Sequence, residues 1–185
     1  MKKLFPVVLV LIGLGFLVGG SYTLVRGFDA KDQVRSELAR QDITTTPDAS
    51  IPNVKVTDAT TAQAMADVIQ KHSDEITGGR SYAELGRYLS ADGKGDTSDE
   101  NLAMKDKDGN PVENPIRDVA LTASNLRTGL YTSVMAFNVA DLVIGLGLAI
   151  AVIGFVVAGI GVALAALAIP SLARRLHVEP VAARA

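Results

Sequence analysis

Cysteine is missing from this chain altogether. Its absence excludes a disulfide framework, a thiol nucleophile, a thiolate-held metal and a lipid-modified N-terminal cysteine. Tryptophan is missing too, and histidine occurs only as His72 and His177. The side chains that most often hold metals or anchor at bilayer interfaces are therefore scarce. Nor does the chain contain a nucleophile elbow, a phosphate-cradling glycine loop or any spacing of metal ligands. Charge, finally, is lacking over two long stretches, Leu4 to Val25 and Leu142 to Pro170.

Those two uncharged stretches are strongly apolar, and each is long enough to cross a bilayer. A helix rises about 1.5 Å per residue against a hydrocarbon core of roughly 30 Å, so the first, at about 33 Å, spans with slight tilt. The second has length to spare. Between them, residues 27–141 carry 12 Lys/Arg against 19 Asp/Glu, a net of −7, although the whole chain is only −2. Lys2 and Lys3 precede the first run, while Arg174, Arg175 and Arg184 follow the second against the single acid Glu179. Basic residues near span ends stay on the cytoplasmic side, so both termini are expected in the cytoplasm and the acidic middle outside the plasma membrane. An acidic outer segment argues against nucleic acid as a partner. A rival reading makes the first run a cleaved signal peptide, with Met1-Lys2-Lys3 as its basic start and Val18-Gly19-Gly20 as a small-residue cleavage site. The run is longer than the usual apolar region of such a peptide, which favours a retained span.

Both spans are expected to continue as helices past the membrane. Over Asp32 to Ile43, Val34, Leu38 and Gln41 recur at helical spacing. Asn114-Pro115 combines a capping residue with a first-turn proline, and from there Val119, Leu126, Leu130, Val134 and Phe137 form an apolar stripe leading into the second span. Thr57-Asp58 is a cap for a helix over Thr61 to His72, with Ala62, Met65, Ala66 and Ile69 on one face, ended by Gly78-Gly79. Ser81 and Glu84 fit a capping box for a short helix, Tyr82 to Leu89. Val54-Lys55-Val56 reads as a strand or an extended link. The Gly-, Asp- and Asn-rich stretch Ala91 to Asn114 reads as loop, with room for a small hairpin at Asp108-Gly109. The resulting expectation is an all-α membrane protein: two transmembrane helices extended into an antiparallel stalk, with a small, mainly helical extracytoplasmic cap. Its parts are a span at 1–26, cap and stalk at 27–141, a span at 142–170 and a basic tail at 171–185. A small α+β cap is the competing picture.

Small residues recur four apart in Gly15/Gly19, Gly145/Ala149, Gly154/Ala158 and Gly161/Ala165. Lipid is as apolar as leucine, so helices in a bilayer associate through close backbone approach, which small residues permit. These eight are the expected helix-packing positions, and Leu126, Leu130, Val134 and Phe137 the expected partner stripe. Asp141 and Arg26 mark the outer boundaries of the spans. Lacking any ionisable residue, the second span offers no ion or proton path. Asp92, Asp96, Asp106 and Asp108 invite a calcium reading, but an EF-hand needs Gly at position 6 and Glu at 12. Counted from Asp106, those positions are Pro111 and Arg117. What remains is an irregular cation site, or turns in which Asp and Gly serve backbone geometry. His72 and His177 should lie on opposite sides of the membrane, and Ser73 and Asp74 beside His72 point elsewhere on a helix, so no catalytic triad is expected.

Four blocks carry a resemblance. They are Gln41-Asp42-Ile43-Thr44-Thr45; Ala62 to Asp67 with His72 and Gly78-Gly79-Arg80-Ser81-Tyr82; Gly109 to Val112 with Asn114-Pro115; and Leu126 to Leu130 through Val134 to Asn138. Together they cover most of the chain, which resembles a group of small two-span membrane proteins of actinobacteria that often go by the name aromatic ring-opening dioxygenase. Enzymes of that name hold iron with two histidines and a carboxylate in one pocket, and here one histidine at most reaches an outer pocket. The resemblance implies an envelope membrane protein and brings no catalytic residues with it. The combined expectation is a non-catalytic accessory or scaffold protein without cofactor, docking onto a membrane complex or onto itself. The alternative is an extracytoplasmic binding module for a cation or cationic partner.

Overall fold

A computed structural model describes residues 4–176, and side-chain surroundings through residue 167. Lys2, Lys3, His177, Glu179 and Arg184, and with them most of the expected basic tail, lie outside the described residues. The fold is mostly helical: α1 (Phe5–Arg40), α2 (Ala59–Thr77) and α3 (Pro115–Leu176), with β1 (Tyr88–Leu89), β2 (Asp96–Thr97) and a 3-10 turn (Glu100–Leu102) between α2 and α3. Helices α1 and α3 are each long and apolar enough to cross a membrane. The chain divides into two compact units, one made of residues 1–32 and 139–185 and the other of residues 33–138.

In the first unit α1 and α3 run antiparallel along a seam that repeats every seven residues. Gly13 lies against Ala158, Gly20 against Ala151 and Gly147, and Gly27 against Ile144. From the other helix, Gly147 abuts Leu24, Gly154 abuts Leu17 and Gly161 abuts Val10. Each step of seven forward on α1 is thus a step of seven back on α3, the repeat that keeps one face of a helix turned to its neighbour. A Cβ placed on Gly154 would fall 2.5 Å from the Leu17 backbone nitrogen, and one on Gly147 2.6 Å from that of Leu24. Here the main chains themselves are in contact, and glycine is what makes room for it. Leu11, Val18, Leu142 and Phe155 face away from the seam and are exposed. Lys31 Nζ donates to Asp141 Oδ1 at 2.6 Å.

The second unit has its own core, built from Leu38 of α1, Val56, Ala62 and Ala66 of α2, and Leu130 and Phe137 of α3. Val34, Ile43, Met65, Ile69 and Val134 pack against it. Helix α2 starts where the sequence indicates: Asp58 Oδ1 accepts the Thr61 N–H at 2.8 Å and the Thr61 hydroxyl accepts the Asp58 N–H, a reciprocal cap. It ends at Gly78, whose φ of 65° suits glycine. Tyr131 Oη donates to Asp67 Oδ1 at 2.8 Å, tying α3 to α2. The link from α1 to α2 is held by Thr45, whose N–H donates to the Val54 carbonyl at 2.9 Å and whose hydroxyl accepts the Val54 N–H at 3.0 Å. Val56 thereby enters the core, 1% exposed.

The short helix expected over Tyr82–Leu89 does not form. Glu84 Oε2 does accept both the Ser81 N–H, at 2.8 Å, and the Ser81 hydroxyl, at 2.7 Å, yet only one turn follows. Gly86 draws the chain away: its N–H donates to Asp96 Oδ1 at 2.7 Å, and a Cβ there would meet the Thr97 nitrogen at 2.5 Å. That close approach sets up the antiparallel pairing of Tyr88 with Thr97 and of Leu89 with Asp96. The mainly helical cap of the sequence reading is, in this unit, one full helix plus a small β-bridged loop. Asn114, 1% exposed, locks the loop to α3. Its side chain donates to the Gly86 carbonyl at 3.0 Å and accepts the Ile116 N–H at 3.1 Å.

Candidate functional site

The eight small residues expected to pack helices fall into two sets. Gly154, Ala158 and Gly161 lie on the α1–α3 seam, with Ala158 seated on Gly13, and Ala165 is at least half-buried. Gly15, Gly19 and Gly145 have nothing within 4 Å of where a Cβ would sit, and Ala149 is exposed. A spacing of four picks out one stripe of a helix, whereas the contact follows a spacing of seven. Gly13, Gly20 and Gly27 therefore belong to the seam although no four-residue pair of small residues marks them, and so does Gly147, whose neighbour four residues on, Ala151, also meets Gly20. The signal present in the sequence is the run of small residues at 13, 20 and 27, answered by 140, 147, 154 and 161.

Of the partner stripe, Leu130 and Phe137 are buried in the core of the second unit and Val134 packs against it. These three are spent inside the chain. Leu126, 54% exposed, borders two clefts of the same unit. One, of about 320 Å³, is lined by Ile43, Met65 and Ile69; the other, of about 360 Å³, by Ile69, Ile76 and Val119.

The acidic loops are occupied by their own donors. Burial acts to raise the Asp96 carboxyl, but the Gly86 N–H and the Arg80 guanidinium, 2.7 Å away, outweigh it and hold the carboxyl below its ordinary value. Asp106 Oδ1 accepts the N–H groups of Asn110, at 2.8 Å, and Asp108, at 2.9 Å, and these hold its carboxyl low. Asp92 is held low first by the Lys94 N–H. Among the described residues no group of three or more His, Asp or Glu side chains is placed to hold a metal ion.

His72 has one partner that sequence reasoning missed. Its Nε2 lies 2.9 Å from Asp48 Oδ2, which also accepts from Lys71 Nζ at 2.9 Å, while Thr46 donates to Asp48 Oδ1 at 2.8 Å. Lys71 above all, with Thr46 and His72 assisting, holds the Asp48 carboxyl well below the usual carboxylate range. The cluster pins the loop before α2 to the second half of that helix. Asp48 is 24 residues from His72, so no local motif joins them. Ser73 stands next in sequence, but among the described residues no hydroxyl hydrogen-bonds to His72. The chain matches no protein-family model, no curated protein and no solved structure.

Proposed function

We propose that the chain is a non-catalytic scaffold of the plasma membrane, crossing the bilayer twice and holding residues 33–138 on the outer side. One observation carries this reading: α1 and α3 are seamed together through glycine while their remaining apolar side chains stand exposed. In water such a surface drives aggregation; in lipid it is the ordinary outer face of a helix pair. The orientation rests on the basic residues flanking the spans, Lys2 and Lys3 before the first and Arg174 and Arg175 after the second. Docking to a membrane complex or a second copy would use small residues that the seam leaves free, Gly15 and Gly19 on α1 and Gly145 and Ala149 on α3, together with Leu126 outside the bilayer. A reporter inserted at Ser98 tests the placement, with outer-face activity expected; cytosolic activity ends the reading. A tagged copy solubilised in mild detergent tests the scaffold role. It should run above its monomer mass or bring a membrane protein with it, and a lone monomer counts against docking.

A further inference from the structure

One cavity of the second unit has a polar character that the scaffold role does not use. It encloses about 330 Å³ between α2, the turn that follows it and the first turns of α3. That volume lies at the lower end of small-molecule sites. Arg80, Arg127, Ser73, Ser124 and Tyr82 line it, with Asp74 in the wall.

Its two arginines differ. Arg80 is neutralised, its Nη1 standing 2.7 Å from Asp96 Oδ2. Arg127 forms no ion pair among the described residues; its Nε is sealed from water without an acceptor, and its guanidinium stands 5.8 Å from the centre of the Tyr131 ring. An aromatic face offsets part of a cation's cost of burial but carries no formal counter-charge. Asp74, in the same wall, makes no ion pair with Arg127; its carboxylate accepts a hydrogen bond from Gln70. A guanidinium that has lost part of its hydration and has no carboxylate partner favours an anion entering beside it, and its planar fork matches phosphate and carboxylate oxygens.

We propose that this cleft binds a small oxyanion, a phosphate or carboxylate group, with Arg127 as its counter-charge and the hydroxyls of Ser73 and Ser124 as further donors. Asp74 in the wall favours ligands that carry a hydroxyl or ammonium next to the anionic group. The same chemistry is offered by a soluble metabolite and by the headgroup of an anionic lipid.

The test uses the full chain in a maltoside detergent, which supplies neither phosphate nor carboxylate. Inorganic phosphate is titrated against chloride at equal ionic strength, following the melting temperature and tyrosine emission, readable because there is no tryptophan. A saturable response beyond the chloride control is expected. Arg127→Met should weaken it roughly tenfold or more, the loss typical of a charged hydrogen-bond partner, while Arg127→Lys keeps part of it. Ser124→Leu, which fills the cleft while leaving the arginine at 127 unsubstituted, should abolish it, and this holds the proposal to account even if Arg127→Met folds poorly by circular dichroism. Adding phosphatidylglycerol to the micelles separates the sources: a blunted phosphate response identifies a lipid headgroup, and an unchanged one a soluble oxyanion. No saturable response in maltoside, or one retained in both Arg127→Met and Ser124→Leu, overturns the proposal.

Discussion

Replacing Gly147 by alanine would put a methyl group 2.6 Å from the Leu24 backbone nitrogen and 2.9 Å from the Gly20 carbonyl oxygen. Non-bonded carbon settles at about 3.5 Å or beyond, so α1 and α3 must part locally by close to ~1 Å. A gap of that size forfeits a quarter to a half of each atom pair's attraction of about 0.1–0.2 kcal/mol. Over on the order of 30 pairs in the flanking turns the loss is about 1–2 kcal/mol, within the range for overpacked interiors. Gly145→Ala is the matched control, because nothing lies within 4 Å of its Cβ position. Both changes gain the same helix propensity, roughly 1 kcal/mol, which cancels in the comparison. The assay is unfolding of purified protein in mixed micelles by increasing sodium dodecyl sulfate, read by circular dichroism. Gly147→Ala should shift the midpoint down by an amount equivalent to ~1–2 kcal/mol relative to Gly145→Ala. Coincident midpoints would refute a seam repeating every seven residues.

Three further expectations concern residues 33–138. Phe137→Ala empties the largest fully buried position and should cost about 3–5 kcal/mol, seen as early proteolysis at loop sites between α2 and α3 while the α1–α3 seam survives. Asn114→Ala removes the bonds to Gly86 and Ile116 from a buried site; a loss of about 1–3 kcal/mol is expected, with hydrogen exchange accelerating first around Gly86 and β1. The Asp48 carboxyl lies below its usual value of 3.8, so its contribution is complete above about pH 4 and disappears as the pH falls through the lowered value. The melting-temperature gap between the parent and Asp48→Asn should therefore be widest near neutrality and close in strong acid; a gap that persists there contradicts the assignment.

Helix ends were the most legible part of the sequence. Asn114-Pro115 and Asp58 with Thr61 each carry their capping chemistry within four residues, and Gly78 stops α2 by its φ of 65°. Ser81 and Glu84 show the limit of such signals. Their bonds form, but a cap is worth about 1 kcal/mol and cannot carry a helix through Gly86, whose N–H is committed to Asp96, ten residues on. The glycine pattern was visible and its period was not. Four-residue pairs stand out to the eye, whereas the seam is recognisable only when α1 and α3 are laid antiparallel and both repeats are seen to match. The Arg127 cleft was the least legible, since its walls come from α2, the following turn and α3, which no spacing rule joins.

The first unit is made of two ends of the chain, with residues 33–138 between them. At a ribosomal pace of about 5–20 residues per second, roughly 5–20 s separate completion of the α1 half from arrival of its α3 counterpart. During that interval the bare glycines of α1 have no mate, while the intervening hundred residues, which take their core from both long helices, cannot close either. Assembly of this molecule is therefore late: one helix, α3, supplies first Leu130 and Phe137 to the core of residues 33–138 and then the residues of the glycine seam, and a nascent chain truncated before Leu130 has neither.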